Sequence, residues 1–119
     1  MAETLDEFLA ESVLPEGILE YFNFRSSHTY LESLHINLEE KNVVPEEHAG
    51  KRLESKGFYG TKQIQDFPLR GKPVVLRVKR RRWIDQNTGK YVMRDWKLIA
   101  DCTKLTKEFA NFLKELDRE

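Results

Sequence analysis

The chain has 119 residues, of which 39% are hydrophobic and 34% are charged, and these values fit one folded globular domain better than a disordered chain. No apolar run approaches the ~20 residues that a membrane-spanning helix needs. The first twelve residues carry four acidic side chains and no Lys or Arg, which argues against a secretory signal. We therefore expect a cytoplasmic protein that has no membrane partner.

Side chains that bind metals or form disulfides are scarce. Cys102 is the only cysteine, so neither an internal disulfide nor a zinc ribbon is predicted. The histidines, His28, His35 and His48, lack the H-x-x-H spacing and have no cysteine neighbours. The sequence therefore predicts no metal and no other cofactor.

The formal net charge of zero conceals a division along the chain. Residues 1–50 contain two bases and eleven acids, a local charge of 2 − 11 = −9. Residues 51–100 contain fourteen bases and four acids, a local charge of 14 − 4 = +10. This asymmetry indicates either that the basic part binds a polyanion or that the acidic part meets a basic partner.

Two short helices are predicted in the N-terminal segment 1–23. Thr4 or Asp6 can cap a first helix that ends near residue 13. Pro15 is suited to the first turn of a second helix. The apolar face of this second helix comprises Ile18, Leu19 and Phe22. The polar residues that follow, 25–29, predict a loop.

A sheet is predicted over residues 33–100. Leu34, Ile36 and Leu38 alternate with polar residues, as in a strand that buries one face. Residues 42–50 include Pro and Gly and predict a connection.

Two further short strands are predicted at 53–59 and 63–67, with Gly60 between them. A turn is predicted at 68–73, because its two prolines remove ladder donors and Gly71 permits a positive φ.

The most pronounced feature is a predicted long basic β-hairpin over residues 74–100. Its first strand covers 74–85, its loop covers 86–89 and its return strand runs to about residue 100. A register fixed at the loop places Trp83 opposite Val92 and Arg80 opposite Asp95.

An amphipathic C-terminal helix is predicted over 103–117 and should pack on the sheet. Its apolar face comprises Leu105, Phe109, Phe112, Leu113 and Leu116. The chain as a whole, residues 1–119, is thus predicted to be a single α+β domain with a mainly antiparallel sheet.

Basic residues without acidic neighbours mark the hairpin and the turn before it. Residues 67–84 contain no acid, and the return strand adds further bases. Arginine forms bidentate hydrogen bonds with phosphate oxygens, so duplex DNA is the expected partner. The predicted nucleic-acid-binding residues are Arg70, Lys72, Arg77, Lys79, Arg80, Arg81, Arg82, Arg94 and Lys97.

Alternation along the strand divides these bases between two faces. One face carries Arg77, Lys79 and Arg81, and the other carries Arg80 and Arg82; the sequence leaves open which face is outward. The supporting aromatic residues, Trp83, Tyr91 and Trp96, can stack on splayed bases or hold arginines by cation–π contacts. Two alternatives remain: a ribbon whose arginine stems only cover its faces, and a basic surface that docks a protein.

Catalytic motifs are not found. The sequence has no Gly-rich phosphate loop before a helix, no Ser or Cys nucleophile motif and no H-E-x-x-H. We therefore expect neither an enzyme nor a small-molecule substrate.

Eight short motifs follow one another along residues 14–116. They are LPEGILEYF (14–22), LEEKN (38–42), SKGFY (55–59), QDFPLRGK (65–72), RRRW (80–83), TGK (88–90), RDW (94–96) and TKEFANFLKEL (106–116). In this order they resemble the transposase N-terminal region family of bacterial insertion sequences. A more distant resemblance is to larger transposases that begin with a zinc-binding module, but the matching hairpin here has no cysteines, and Trp83 and Trp96 stand as candidates for the packing that a metal supplies there.

The resemblance implies an accessory or N-terminal part of a transposase, with the catalytic domain downstream or on a separate chain. The expected function is therefore binding of transposon-end DNA through the basic ribbon. Two other readings stay open: a subunit that docks on the catalytic transposase chain, and a non-functional remnant of a mobile element.

Overall fold

The computed structural model describes residues 14, 17–96 and 107–117, and these residues form an α+β fold. In chain order the elements are helix α1 (Ile18–Tyr21), strand β1 (Phe22–Thr29), strand β2 (Leu34–Glu40), a 3₁₀ turn (Glu46–His48), strand β3 (Leu53–Leu69), strand β4 (Lys72–Asp85), strand β5 (Tyr91–Met93) and helix α2 (Lys107–Asp117). The predicted helix that ends near residue 13 lies outside the described residues, as do Pro15, Lys97, Cys102 and Leu105.

One five-stranded sheet is formed, in the order β1-β2-β4-β3, with β5 paired to the end of β4. The β1–β2, β3–β4 and β4–β5 pairs are antiparallel, whereas β2 and β4 are parallel. The sheet is therefore mixed but mainly antiparallel. Strand β3 does not pair with β2 but leaves a gap beside it. Strand β4 then occupies that gap, antiparallel to β3 and parallel to β2.

The basic strand β4 lies at the centre of this sheet. Strand β3 pairs with it from Asp85 to Lys72, and on the other edge β2 pairs with residues 74–79 and β5 with residues 82–84. Within the described residues, the predicted long basic hairpin over 74–100 is limited to a short pairing of β4 with β5, and its first strand is central in the sheet. Strands paired along both edges of β4 supply hydrogen-bond partners for its backbone N–H and C=O groups, which in an isolated ribbon would bond to water.

The hairpin loop and its register were predicted correctly near the turn. Trp83 pairs with Val92, as expected. The return strand, however, ends at Met93 rather than near residue 100, so the strand ladder does not extend to the expected register of Arg80 opposite Asp95. The chain leaves the sheet here because Trp96 is fully buried in the core.

Two other strand predictions need correction. Residues 25–29, predicted as a loop, belong to β1, whose polar side chains face solvent on an edge strand; a bulge lies between Phe24 and Ser26. The two predicted strands at 53–59 and 63–67 are one strand, β3. Its register shifts twice near Gly57 and Gly60, which both have positive φ, so the glycines bend the strand without ending it.

The hydrophobic core lies on one face of the sheet. Val74, Leu76 and Val78 are fully buried and alternate with residues of the opposite face. Helix α2 contributes the face that the sequence predicts, with Phe109, Phe112, Leu113 and Leu116 all buried. Helix α1 is shorter than expected and brings Ile18 into the same cluster, while Phe22 already begins β1.

Candidate nucleic-acid interface

The sheet face opposite the core is lined mainly by polar side chains. Ser26, Asn37, Arg77 and Gln63 stand side by side in one row across four strands. The Asn37 Nδ2 donates a hydrogen bond of 2.8 Å to the Ser26 Oγ, so these two side chains lie on the same side. Alternation along each strand places the next residues of this face two positions away.

The neighbouring rows continue the same surface. Towards one end of the sheet, His28, His35, Val75 and Gln65 are aligned; towards the other, Glu39, Lys79 and Thr61 are aligned. We call this surface the polar face: Ser26, His28, His35, Asn37, Glu39, Thr61, Gln63, Gln65, Val75, Arg77 and Lys79. Its amides, hydroxyls and bases are the groups that hydrogen-bond phosphates and sugars in nucleic acids.

Positive charge dominates the polar face. Arg77 is half-buried, and its Nε is enclosed without a hydrogen-bond partner among the described residues. The Lys79 side chain is 48% exposed, and its Nζ lies 3.9 Å from Glu39 Oε2. Arg25 Nε lies 3.6 Å from the other oxygen of Glu39. Three bases against one acid give 3 − 1 = +2.

The turn between β3 and β4 adds two exposed bases, Arg70 and Lys72, at one end of the sheet. Arg70 and Gly71 occupy the centre of a two-residue hairpin, with φ of 52° and 81°. Positive φ at both central positions is the geometry of a type I′ turn, which matches the twist of the flanking strands. We call residues 70–72 the hairpin tip, and its rigid turn holds both bases beyond the core.

Arg81, predicted as a DNA contact, instead joins three strands. Its Nε donates to the Glu40 carbonyl at 3.1 Å, and its Nη1 donates to Ser55 Oγ at 2.7 Å. Its guanidinium also lies 4.7 Å from the Phe58 ring centroid. These contacts use two of the five guanidinium N–H donors and hold the side chain against the sheet.

The neighbouring arginines point to the opposite face and are also engaged. Arg82 Nε donates to the Lys56 carbonyl at 3.1 Å, and its guanidinium lies 4.5 Å from the ring of Tyr91. This contact is the supporting cation–π role predicted for Tyr91. Arg80 is half-buried, with Nη2 3.5 Å from the Arg94 carbonyl oxygen. The run 80–82 therefore ties the sheet together.

Arg94 is only 7% exposed and belongs to the interior. Its Nε donates to Glu40 Oε2 at 3.2 Å, and its Nη2 donates to the Val43 carbonyl at 2.6 Å. Its guanidinium also faces the rings of Tyr21 and Trp96, at 5.8 and 5.3 Å. The predicted DNA contact at Arg94 is therefore corrected, because a buried guanidinium does not reach a phosphate.

Glu40, the partner of Arg94, is 1% exposed. Burial raises the pKa of this carboxyl group, because a low-dielectric surrounding disfavours its charged form. The Arg81 backbone N–H and the Arg94 guanidinium oppose that rise in pKa. The carboxylate thus joins β2, β4 and the segment after β5.

Both tryptophans proposed as base-stacking residues are buried. Trp83 is 1% exposed and its Nε1 donates to Asn42 Oδ1 at 3.0 Å, so the connection after β2 lies over it. Trp96 is 0% exposed and stacks on Phe22 with ring centroids 5.0 Å apart. Because both rings are buried, neither tryptophan can stack on a nucleic-acid base, and their role is packing.

Of the predicted set, Arg70, Lys72 and Lys79 are exposed, and Arg77 is half-buried on the polar face beside Lys79. The sequence missed their polar neighbours on β1 and β3, because residues 25–29 have the composition of a loop. The alternation at 34–38 was the one sequence feature that indicated the polar face, since it placed His35 and Asn37 on the side opposite the core.

Within the described ranges, no three His, Cys, Asp or Glu side chains are grouped so that they could hold a metal ion. None of the helices in this part of the chain is long and apolar enough to cross a membrane. No family model, no curated protein and no solved structure matches the chain.

Proposed function

We propose that the chain is an accessory or N-terminal part of an insertion-sequence transposase and that it binds transposon-end DNA through the polar face and the hairpin tip. The observation that carries the proposal is that Arg77 and Lys79 share the polar face among hydrogen-bonding side chains, while the exposed bases Arg70 and Lys72 stand at the hairpin tip, at the end of the same strand. The order of motifs that resembles transposase N-terminal regions supports the choice of DNA.

The charge of this surface suits a polyanion although the whole chain is neutral. The polar face contributes +2 with Arg25 included, and the hairpin tip contributes +2, giving 2 + 2 = +4. A local excess of this kind attracts DNA at low salt and releases its counterions on binding.

The spacing of the bases also fits a duplex. The hairpin tip ends at Lys72, seven residues before Lys79, so the tip and the polar face together extend over about 23 Å at roughly 3.3 Å per residue. That length is about two thirds of one turn of B-DNA. The hairpin tip and the polar face together therefore extend over a length that several successive phosphates of one DNA strand occupy.

Fluorescence anisotropy of a labelled transposon-end duplex, titrated at several salt concentrations, tests the proposal. With about four phosphates contacted, log affinity should fall against log salt with a slope of roughly −3 to −4. The variants Arg70→Gln/Lys72→Gln and Arg77→Gln/Lys79→Gln should each flatten the slope by about 2.

The matched control is Lys51→Gln/Arg52→Gln, which also removes two exposed bases. These residues precede β3 at the end of the sheet remote from the hairpin tip, so the slope should stay unchanged. Thermal melting of every variant separates lost binding from lost folding. A duplex of the same length with a scrambled sequence reports whether the transposon end is preferred.

Two results count against the proposal. If the control flattens the slope as much as the surface variants do, binding is diffuse and the polar face is not the site. If the wild type binds no duplex at low salt, the DNA function is refuted, and docking on the catalytic transposase chain becomes the function to test.

A further inference from the structure

Three rings form a cluster where the polar face meets the β1–β2 turn; His28 and Tyr30 are exposed and His35 is half-buried. The ring centroids of His28 and Tyr30 lie 4.8 Å apart, and those of Tyr30 and His35 lie 4.6 Å apart. Tyr30 is 45% exposed, and Leu31 beside it is 90% exposed. We call His28, Tyr30 and His35 the ring cluster.

The ring cluster contributes little to the stability of the fold. None of its members belongs to the hydrophobic core. The turn is closed by its own backbone, since the Tyr30 N–H donates to the Ser33 carbonyl at 2.7 Å. A shallow depression lined by Tyr30, Leu31, Ser33 and His35, together with Glu32, opens beside the rings. The backbone thus holds apolar and aromatic side chains towards solvent.

The register brings this cluster next to the phosphate-binding residues. His35 pairs with Val75 on β4, one strand away, and Arg77 follows two residues later on the same face. Leu34 pairs with Val74, so the β1–β2 turn and the hairpin tip lie at the same end of the sheet. Adjacent strands are about 4.8 Å apart and two residues along a strand span about 7 Å. The distance from the ring cluster to the Arg77 position is therefore about the length of one nucleotide.

We propose that the ring cluster stacks an unpaired base at the end of the DNA that the polar face binds; this inference rests on the proposed function. Bases inside a duplex present their faces only to one another, whereas an unpaired end base exposes its π-face. Tyrosine and histidine rings stack on such bases with little dependence on sequence. Phosphates next to that base would then reach Arg70, Lys72 and Arg77, which favours a nucleic acid over a protein segment as the occupant.

The test compares two labelled DNAs, a blunt duplex and the same duplex with a three-nucleotide single-stranded overhang. The wild type should bind the overhang DNA at least about fivefold more tightly, the lower limit for stacking one base on an aromatic side chain. A 2-aminopurine placed in the overhang should lose fluorescence on binding, because stacking quenches it. The same fluorescent strand without its complement gives a readout that does not need duplex binding.

Three variants make the test specific. Tyr30→Ala should abolish the overhang preference and the quenching while leaving blunt-duplex affinity and the melting temperature unchanged, since Tyr30 is outside the core. Tyr30→Phe keeps the ring and should retain both effects. Tyr59→Ala removes another exposed aromatic residue, 61% accessible, from β3 and should change neither.

The outcomes distinguish this inference from the function on which it rests. Equal binding of both DNAs by the wild type without quenching overturns the inference while duplex binding stands, and leaves the cluster as a candidate protein contact. Retention of the preference by Tyr30→Ala also overturns it. Quenching of the single strand without any duplex binding refutes the proposed duplex function and supports the ring cluster as a base-stacking site.

Discussion

Replacing Glu40 with alanine should destabilise the protein severely. The substitution leaves the Arg94 guanidinium buried without its carboxylate and the Arg81 backbone N–H without its acceptor. Removing one partner of a buried ion pair typically costs 3–5 kcal/mol. Arg94 keeps the Val43 carbonyl and two aromatic rings, so we expect a loss near the lower limit, about 3 kcal/mol.

The adjacent acid provides the control. Glu39 lies on the polar face, with its side chain 25% exposed and its two cations at 3.6 and 3.9 Å. Exposed pairs of this kind contribute at most about 1 kcal/mol, so Glu39→Ala should change stability little. The double variant Glu40→Leu/Arg94→Met removes both buried charges and should recover most of the loss, since an apolar pair is often no less stable than a buried ion pair.

Urea unfolding followed by tryptophan fluorescence measures these differences, because Trp83 and Trp96 are both buried in the folded state. A loss of about 3 kcal/mol corresponds to a fall in melting temperature of roughly 10 °C for a domain of this size. If Glu40→Ala costs no more than Glu39→Ala, the carboxylate is not the hub that its contacts indicate. If the double variant is as unstable as Glu40→Ala, the loss comes from packing or from the Arg81 backbone N–H left without its acceptor, rather than from unpaired charge.

Three further outcomes are expected. Phe109→Ala and Leu113→Ala should each lower the free energy of unfolding by roughly 2–5 kcal/mol in urea titrations, because both side chains are buried, and unchanged midpoints would show that α2 does not pack on the sheet. Gly17→Ala should lower the melting temperature more than Gly89→Ala. Both glycines have positive φ, but of the two only Gly17 would bring an added Cβ against another side chain, the Phe109 ring at 3.2 Å. Equal falls in melting temperature would contradict the close approach of Gly17 to Phe109. The raised pKa of Glu40 means that the folded state holds the carboxyl proton more tightly than the unfolded state does. The free energy of unfolding of the wild type, relative to Glu40→Gln, should therefore fall as pH rises from the ordinary carboxyl pKa through the raised one. A rise in this free energy across that pH range, measured by urea unfolding, would contradict the raised pKa.

The local elements were largely readable from the sequence. Alternation predicted β2 and the buried residues Ile36 and Leu38, and helical spacing predicted the face of α2 that contains Phe109 and Leu113. The hairpin loop after β4 also followed from its composition. These features depend on residues close together in the chain, whose spacing alone decides which side chains share a face.

The candidate site was only partly predictable. Of the nine predicted contacts, Arg70, Lys72 and Lys79 are exposed and Arg77 is half-buried on the polar face, whereas Arg94 is buried and Lys97 is outside the described residues. Charge is visible in a sequence, but burial depends on what covers each side chain. The stretch 80–82 has the same composition as an exposed basic patch, yet the structure uses its donors to join neighbouring strands.

The sequence by itself determined an α+β fold with a concentrated basic strand, because hydrophobic period and charge are local properties. Only the tertiary structure decided that β4 is the central strand, since its pairing with β2 joins residues forty positions apart, such as Leu34 and Val74. That long-range pairing selects the face of β4 that is open to solvent, and it places the ring cluster beside the hairpin tip. Strand alternation specifies two faces, but the neighbours that cover one of them come from distant parts of the chain.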